Sequence, residues 1–265
     1  MDKIKFYIKI YLMILSQNIK SKLQFRTDFI ISLIGMFATN LSGIIAFYLL
    51  FTNIPNINGW SYDELIFMYA FTLLATTPLQ IFFDNVWNTD NYVATGDFIK
   101  FCFKPIDIFF YYMAENFDIK GLGQLLFGII TMCYAWNKLH IPVTLVNLMM
   151  LVAVLVSASL VMISIMVIGS SSSFWIVYSK RLIMLLVNFK DYAKYPMTIF
   201  SGFFKFAVTF IIPVGFVAFY PSQFFLRPNQ LSVLVLLSPV IGIAYFILAY
   251  FIWSKGASRY SGTGS

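Results

Sequence analysis

Residues 143–169 read VTLVNLMMLVAVLVSASLVMISIMVIG, a run without a single charged side chain. A helix needs roughly 20 apolar residues to cross the hydrocarbon core of a bilayer, so this run is long enough to span a membrane. The whole 265-residue chain has the same character, with 60% hydrophobic and 11% charged residues. Soluble domains have roughly 25% charged residues, so this chain has too few to cover a water-facing surface. The sequence therefore predicts an all-α, polytopic membrane protein without room for a soluble catalytic domain.

Five further apolar runs flank this one along the chain. They lie at about residues 29–52, 64–83, 118–137, 197–220 and 231–253. The run at 118–137 is the weakest, because Asp118, Lys120 and three glycines dilute it. We therefore expect one transmembrane domain over residues 1–265. It would comprise an N-terminal helix over 1–28, six spans between about 29 and 253, and a cytoplasmic tail over 254–265.

The N-terminal residues 1–28 have the spacing of an amphipathic helix. Apolar side chains recur every three or four residues from Ile4 to Ile19, while Lys5, Lys9 and Lys20 fall on the opposite side. That pattern is typical of a helix lying in the membrane interface. Because lysines interrupt the apolar stretch, it does not fit a secretory signal peptide.

The basic residues predict the orientation of the chain. Fifteen of the 18 Lys and Arg residues lie in the N-terminal segment, in the connections after the second and fourth runs, or in the tail. Lys138 and Arg227 lie in the opposite connections, and Lys205 lies inside the fifth run. Since cytoplasmic loops are rich in Lys and Arg, both termini are predicted to be cytoplasmic. The net charge of +7 fits this topology and contact with anionic membrane lipid, and implies no nucleic-acid partner.

Motifs for catalysis or metal binding are missing from the sequence. It contains neither a GxxxxGK(S/T) phosphate loop nor an HExxH zinc motif. Cys102, Cys133 and His140 lie in unrelated contexts, so we expect no disulfide and no metal site. The acidic residues fall in loops or at the ends of runs, whereas ion-driven carriers usually place ionisable groups near the midplane. The chain is therefore predicted to have no catalytic residues or cofactor and to draw its energy from elsewhere.

The half-charged segment TGDFIKFCFKPID, residues 95–107, interrupts the apolar pattern and is called the Gly96 segment below. It contains a turn former, Gly96, a candidate helix cap, Asp97, and a helix stop, Pro105. Between them lie the apolar residues Phe98 and Phe101 and the cations Lys100 and Lys104. The glycine permits a sharp turn, the aspartate suits an N-cap, and the proline ends the element. We expect a helix of one or two turns. Because so short a helix is unstable alone, it must be held by packing, by lipid or by a partner.

The Gly96 segment and the residues after it resemble the single-domain, six-span permeases of type-2 ABC exporters. The matching positions include a glycine, an aromatic residue, a proline, a Phe-Asp pair and spaced glycines: Gly96, Phe98, Pro105, Phe117, Asp118, Gly123 and Gly128. The resemblance continues through FW at 174–175, YPMTIF at 195–200, IIPVGFVAFYP at 211–221 and YSGTGS at 260–265. Lys104 stands where the family usually has arginine, and Asp97 is displaced by one position.

This resemblance implies that the Gly96 segment is a coupling helix that docks into a groove of an ATP-binding subunit. Lys100 and Lys104 would then meet acidic residues of the groove, while Phe98, Phe101 and Phe103 fill it. The N-terminal helix would touch the same subunit, with Lys180 and Arg181 as weaker contacts. It further implies two copies of that subunit, which would hold ATP and Mg, and a second copy of this permease or a homologous one.

The outward connection between spans five and six has two interpretations. In the exporters that the chain resembles, this connection dips back into the membrane and caps the cavity, which would involve Pro213, Tyr220 and Pro221. Alternatively, the fifth span is kinked and followed by a loop anchored by aromatic residues. Lys205 is likewise either a lysine near the interface with its amine directed outward, or a cation lining the pathway.

The sequence thus predicts the permease subunit of an ABC exporter for amphipathic or hydrophobic substrates in a bacterial cytoplasmic membrane. Two other functions remain open at this point. One is a channel or secondary carrier that needs no ATPase. The other is a membrane accessory or immunity protein that binds without transporting.

Overall fold

The structure, a computed structural model, describes residues 3–24, 26–176 and 179–260. Within these residues all regular elements are helical, apart from one isolated bridge between Ile57 and Trp60. The α-helices are α1 (Lys3–Leu23), α2 (Arg26–Asn53), α3 (Tyr62–Phe82), α4 (Thr89–Thr95), α5 (Ile99–Cys102), α6 (Ile108–Ala114), α7 (Gly121–Lys138), α8 (Leu145–Ser171), α9 (Lys180–Lys190), α10 (Gly202–Phe206), α11 (Phe219–Leu226) and α12 (Val233–Ala257). The predicted all-α fold is confirmed.

Four helices of the described chain are long and apolar enough to cross a membrane. They coincide with predicted runs and comprise Thr27–Asn53, Tyr62–Phe82, Leu145–Phe174 and Val233–Ala257. The third of them is the uncharged run with which the sequence analysis began. Helix α7 coincides with the weak run at 118–137 and packs against α3. The contact is close, because a Cβ atom at Gly121 would lie 2.5 Å from the Ile81 side chain.

The helices share two ends, which aromatic contacts identify. At one end, called the Phe98 end, the ring of Phe98 lies 5.0 Å from Phe174 after α8 and 6.0 Å from Trp253 near the end of α12. At the other, called the Trp60 end, Phe225 lies 5.4 Å from Trp136 near the end of α7 and 5.9 Å from Phe67 near the start of α3. Helices α8 and α12 therefore run towards the Phe98 end, whereas α7 runs towards the Trp60 end.

The stretch from Ser179 to Thr198 runs along the whole length of α3. Ser179, just before α9, donates a hydrogen bond of 2.7 Å to Asp90 of α4, beyond the C-terminal end of α3. The indole nitrogen of Trp60, just before α3, donates a bond of 2.9 Å to the Thr198 hydroxyl. Between these points lie α9 and short 3-10 turns at Asp191–Lys194 and Met197–Ile199. Most of this stretch was expected to be only a connection between two spans, and it instead contains α9 and two 3-10 turns.

The predicted fifth span at 197–220 is not one continuous helix. Two apolar pieces, Gly202–Ile211 and Val214–Leu226, meet at an angle of 66°. The break contains Pro213, which has no N–H to continue a helical hydrogen-bond ladder. After the second piece, Arg227 pairs with Glu64 and lies 4.9 Å from the ring of Trp60. The chain therefore leaves the Trp60 end after Thr198 and returns to it at Arg227.

Helices α8 and α12 meet backbone to backbone. The amide nitrogen of Gly242 in α12 donates a hydrogen bond of 2.9 Å to the hydroxyl of Ser157 in α8. A Cβ atom built on Gly242 would lie only 2.1 Å from the Ser157 carbonyl oxygen. Small residues at such crossings let membrane helices approach closely and pack. This contact fixes the two helices whose C-terminal ends frame Phe98.

Candidate functional site

The Gly96 segment forms the turn and short helix that the sequence predicts. Helix α4 ends at Thr95, and Gly96 adopts a left-handed conformation with φ of 84°. Glycine takes this conformation without the steric cost that a Cβ atom brings. The single turn of α5 follows at Ile99–Cys102, three residues short of Pro105. The segment is therefore a sharp reversal followed by one helical turn.

The predicted capping role of Asp97 is wrong. The N-cap position of α5 is Phe98, without a side-chain capping bond, and the Asp97 carboxylate instead accepts a bond of 2.8 Å from the Thr95 hydroxyl. Asp97 already lies inside the turn, since its carbonyl oxygen accepts from the Lys100 amide. The aspartate that caps a helix is Asp107, which accepts a bond of 2.8 Å from the Phe110 amide at the start of α6.

Phe98 and Phe101 are both completely buried inside the chain. Phe98 lies at the centre of a ring cluster, within 6.0 Å of five aromatic neighbours: Phe101, Tyr112, Phe174, Trp253 and Tyr260. The expectation that Phe98 and Phe101 fill a partner's groove is therefore wrong for this conformation, because neither has exposed surface. Phe98 instead anchors the segment to the ends of α8 and α12, and Phe101 packs on Tyr92 of α4 and Tyr112 of α6.

The exposed side of the segment carries the remaining predicted residues. Phe103 is 79% exposed, and the exposed Lys104 has its amine 5.8 Å from the Tyr111 ring. The Lys100 amine pairs with Glu115 at 2.9 Å and lies 4.5 Å above the Tyr92 ring. Burial lowers the pKa of Lys100, but Glu115 and Tyr92 together outweigh it, so the pKa is raised overall. Phe103 and Lys104 thus belong to the exposed surface of the segment, and their side chains form no ion pair or hydrogen bond with the rest of the described chain.

Helix α1 lies across the same end of the molecule. The amide of Asp107 donates a bond of 3.2 Å to the Tyr7 hydroxyl, and the Asn18 side chain donates one of 2.9 Å to the Glu115 carbonyl oxygen. Further along α1, Lys22 lies 3.5 Å from the Asp118 carboxylate. These contacts join the N-terminal helix to both flanks of the Gly96 segment.

The predicted cap residues lie within the bent pair. Pro213 lies in the break between its two pieces, and Tyr220 and Pro221 lie in α11. All three are buried, and the Tyr220 hydroxyl lies 3.2 Å from the hydroxyl of Thr209. Lys205 is exposed and belongs to the first turn of α10, because that helix begins only at Gly202. Tyr220 thus joins the second piece of the pair to the first.

A polar cavity of about 530 Å³ lies between α2, α3 and the turn after α9, and the sequence analysis missed it. Its charged lining residues are Lys190, Asp191 and Lys194. They face Tyr69 and Thr72, which lie near the middle of α3. Asp191 is exposed and lies outside the helices that are long and apolar enough to cross a membrane, so the expectation that no carboxylate sits deep in a span stays a prediction. The sequence feature that could have indicated this cavity is KDYAK at 190–194, but its composition alone is also that of an ordinary loop.

Uncharged polar groups complete this cavity. The Gln124 amide donates bonds of 2.9 Å to the Leu73 carbonyl oxygen and 2.6 Å to the Thr76 hydroxyl, and the Tyr69 hydroxyl donates one of 3.0 Å to the Asn40 carbonyl oxygen. Asn40 Nδ2 and Gln80 Oε1 are buried with no hydrogen-bond partner among the described residues. A ligand with donors and acceptors would satisfy both atoms.

Comparison with known proteins identifies a family. The model of a family described as ABC-2 family transporter protein matches residues 8–264, nearly the whole chain. A search of curated proteins gives no match. A search of solved structures gives none either.

Proposed function

Because this chain belongs to the ABC-2 transporter family and is an integral membrane component of a transporter, we propose that it is the permease subunit of an ABC exporter. It forms the translocation pathway as a dimer with itself or with a homologous permease. Two copies of a separate ATP-binding subunit, which hold ATP and Mg, drive it. The complex resides in a bacterial cytoplasmic membrane.

The Gly96 segment is the observation that carries this proposal. Its outer surface, Phe103 and Lys104, is free, whereas Phe98 on its inner side is locked against the ends of α8 and α12. A partner that pushes the outer surface therefore moves those two helices with it. An exposed aromatic residue beside a cation suits a groove with an apolar floor and acidic rim.

The topology that we propose has six crossings. Five are α2, α3, α7, α8 and α12, and the sixth is the stretch from Ser179 to Thr198. The bent pair between Gly202 and Leu226 is re-entrant, since it leaves and returns at the Trp60 end. Both termini then lie at the cytoplasmic Phe98 end, with α1 in the interface. The excess of Lys and Arg at that end supports this orientation.

Cysteine labelling tests this topology. In a background with Cys102 and Cys133 replaced by serine, we expect Ser201→Cys and Asn229→Cys in intact cells to react with a membrane-impermeant maleimide. Arg181→Cys is expected to react only after permeabilisation, as is the reference Lys104→Cys. Reaction of Ser201→Cys only after permeabilisation, with Asn229→Cys still labelled from outside, would make the bent pair a complete span and contradict the proposal.

Charge reversal at Lys104 tests the ATPase contact. We expect Lys104→Glu to weaken co-purification of the ATP-binding subunit about tenfold, corresponding to roughly 1.4 kcal/mol of binding free energy. Lys138→Glu is the matched control, because this exposed lysine lies at the Trp60 end. Equal recovery of the ATP-binding subunit with both variants would remove the coupling interpretation.

An ATPase-independent carrier is the second candidate, and the charged cavity favours it. Carriers place ionisable groups inside the membrane to bind the driving ion or the substrate, which is a role open to Asp191. Affinity purification from the native membrane separates the two candidates. A co-purifying ATP-binding subunit whose ATP hydrolysis falls when residues 96–105 become a neutral linker supports the exporter, whereas purification without such a subunit supports the carrier.

A further inference from the structure

We propose that the polar cavity beside Lys190 is the cargo site of this transporter and that it takes an amphiphile with an anionic head group. The inference rests on the proposed transport function and names the class of substrate for it. Its elements are the position of three charged residues beside the middle of α3, their net positive charge, two unpartnered amide atoms and the apolar side chains that line the same cavity.

The depth of the charges is the first step. Tyr69 and Thr72, which line the cavity with Lys190 and Asp191, lie near the middle of the 21-residue helix α3. At about 1.5 Å per residue, Tyr69 and Thr72 are roughly 10–15 Å from the nearer end of that helix. Charged groups at this depth in a membrane are costly and rare, and they mark substrate or ion pathways.

The charge balance decides the sign of the ligand. Two lysines and one aspartate give the lining a net positive charge. Within residues 3–24, 26–176 and 179–260, none of these three side chains forms an ion pair within 4.0 Å. The Lys194 amine lies 5.6 Å from the ring of Tyr195. An anionic group entering the cavity would therefore supply the counter-charge that this part of the chain lacks.

Two unpartnered amide atoms indicate which hydrogen-bonding groups the head group must carry. Asn40 is 7% exposed, and its Nδ2 donor has no partner among the described residues. Gln80 Oε1, a buried acceptor in the lining, has none either. A head group that combines an anion with a hydroxyl or amine satisfies the donor through its oxygen atoms and the acceptor through its own hydrogen.

The surroundings of the cavity favour an amphiphile over a free anion. The α2 wall contributes Met36 and Ala46 beside its polar residues, and Leu73 of α3 adds a third apolar side chain to the same lining. An acyl chain can pack on these side chains while the head group lies beside the charged residues.

A binding assay on the purified chain, without an ATPase, tests the site. The chain in a non-ionic detergent is titrated into fluorescently labelled dodecyl phosphate, and separately into the same label on dodecyl trimethylammonium, with anisotropy as the readout. We expect the phosphate probe to bind at least tenfold more tightly than the ammonium probe. Lys190→Gln combined with Lys194→Gln should raise the Kd for the phosphate probe at least tenfold.

Two variants keep the assay decisive if the double substitution unfolds the chain. Lys138→Gln with Lys255→Gln removes two exposed lysines outside the cavity and should leave the Kd unchanged. Asp191→Asn removes the only lining carboxylate and should tighten phosphate-probe binding several-fold, which misfolding cannot imitate. Weaker binding by Asp191→Asn, no preference for the phosphate probe, or an unchanged Kd in the folded double variant would overturn the proposal.

The same variants separate this inference from the proposed function. The lysine double variant should still co-purify the ATP-binding subunit, because its changes lie far from the Gly96 segment. Lost ATPase association with Lys104→Glu, together with no head-group preference, would refute the cargo assignment alone. Probe binding as expected, without any ATPase partner, would instead assign the cavity to a carrier.

Discussion

Replacing Phe98 with alanine is expected to lower the free energy of unfolding by about 3–5 kcal/mol, the range for truncating a buried aromatic side chain. The ring is completely buried and contacts five aromatic neighbours from four parts of the chain. Its removal leaves a cavity where the Gly96 segment, the end of α8 and the end of α12 meet. Denaturant titration of the purified chain in mixed micelles measures the loss.

Phe103→Ala is the matched control, five residues away in the same segment. Because Phe103 is 79% exposed, its truncation should change the unfolding free energy by no more than about 0.5 kcal/mol. The same variant should weaken recovery of the ATP-binding subunit. A large loss of stability in Phe103→Ala with none in Phe98→Ala would mean that the inner and outer faces of the segment are assigned the wrong way round.

Gly242→Ala is expected to destabilise the protein by about 3 kcal/mol, at the upper end of the range for overpacking. The added methyl group would lie 2.1 Å from the carbonyl oxygen of Ser157 and 2.7 Å from its carbonyl carbon. Since these are backbone atoms, no rotamer change relieves the clash and the two helices must separate. The bond from the Gly242 amide to the Ser157 hydroxyl is then lost as well.

Gly35→Ala provides the comparison for that variant, because a Cβ at Gly35 in α2 meets no atom within 4 Å. Alanine favours a helix over glycine by up to about 1 kcal/mol, so this variant should be as stable as the parent or slightly more stable. Thermal unfolding of the two variants in detergent, side by side, gives the answer. Equal stability of Gly242→Ala and the parent would show that α8 and α12 do not touch at this point.

The sequence predicts the elements that depend on long local patterns. Hydropathy placed α2, α3, α7, α8 and α12, because a helix in lipid must be apolar along most of its length. It failed for the stretch from Ser179 to Thr198, which contains Lys190 and Asp191. Polar side chains of α2, α3 and α7 line a cavity together with these charged residues, and a hydropathy pattern contains no information about contacts between distant parts of the chain.

The Gly96 segment likewise contains one feature that the local sequence predicts and one that depends on distant residues. The turn at Gly96 follows from its own backbone requirement, so the sequence predicts it. The burial of Phe98 does not follow from spacing, since two aromatic residues three positions apart can serve a partner's groove or an internal cluster equally well. The tertiary contacts of Phe98 with Trp253 and Tyr260 show that it belongs to an internal cluster.

The contacts of Phe98 with Trp253 and Tyr260 have a consequence for biosynthesis. Phe98 emerges from the ribosome long before Trp253 and Tyr260, whose rings lie 6.0 Å and 5.2 Å from its own. Until those residues are translated, the Phe98 ring lacks two of its five aromatic neighbours, and part of its apolar surface is accessible to solvent or chaperones. The segment that we assign to the ATPase contact thus gains its full aromatic packing only after Tyr260 has been translated.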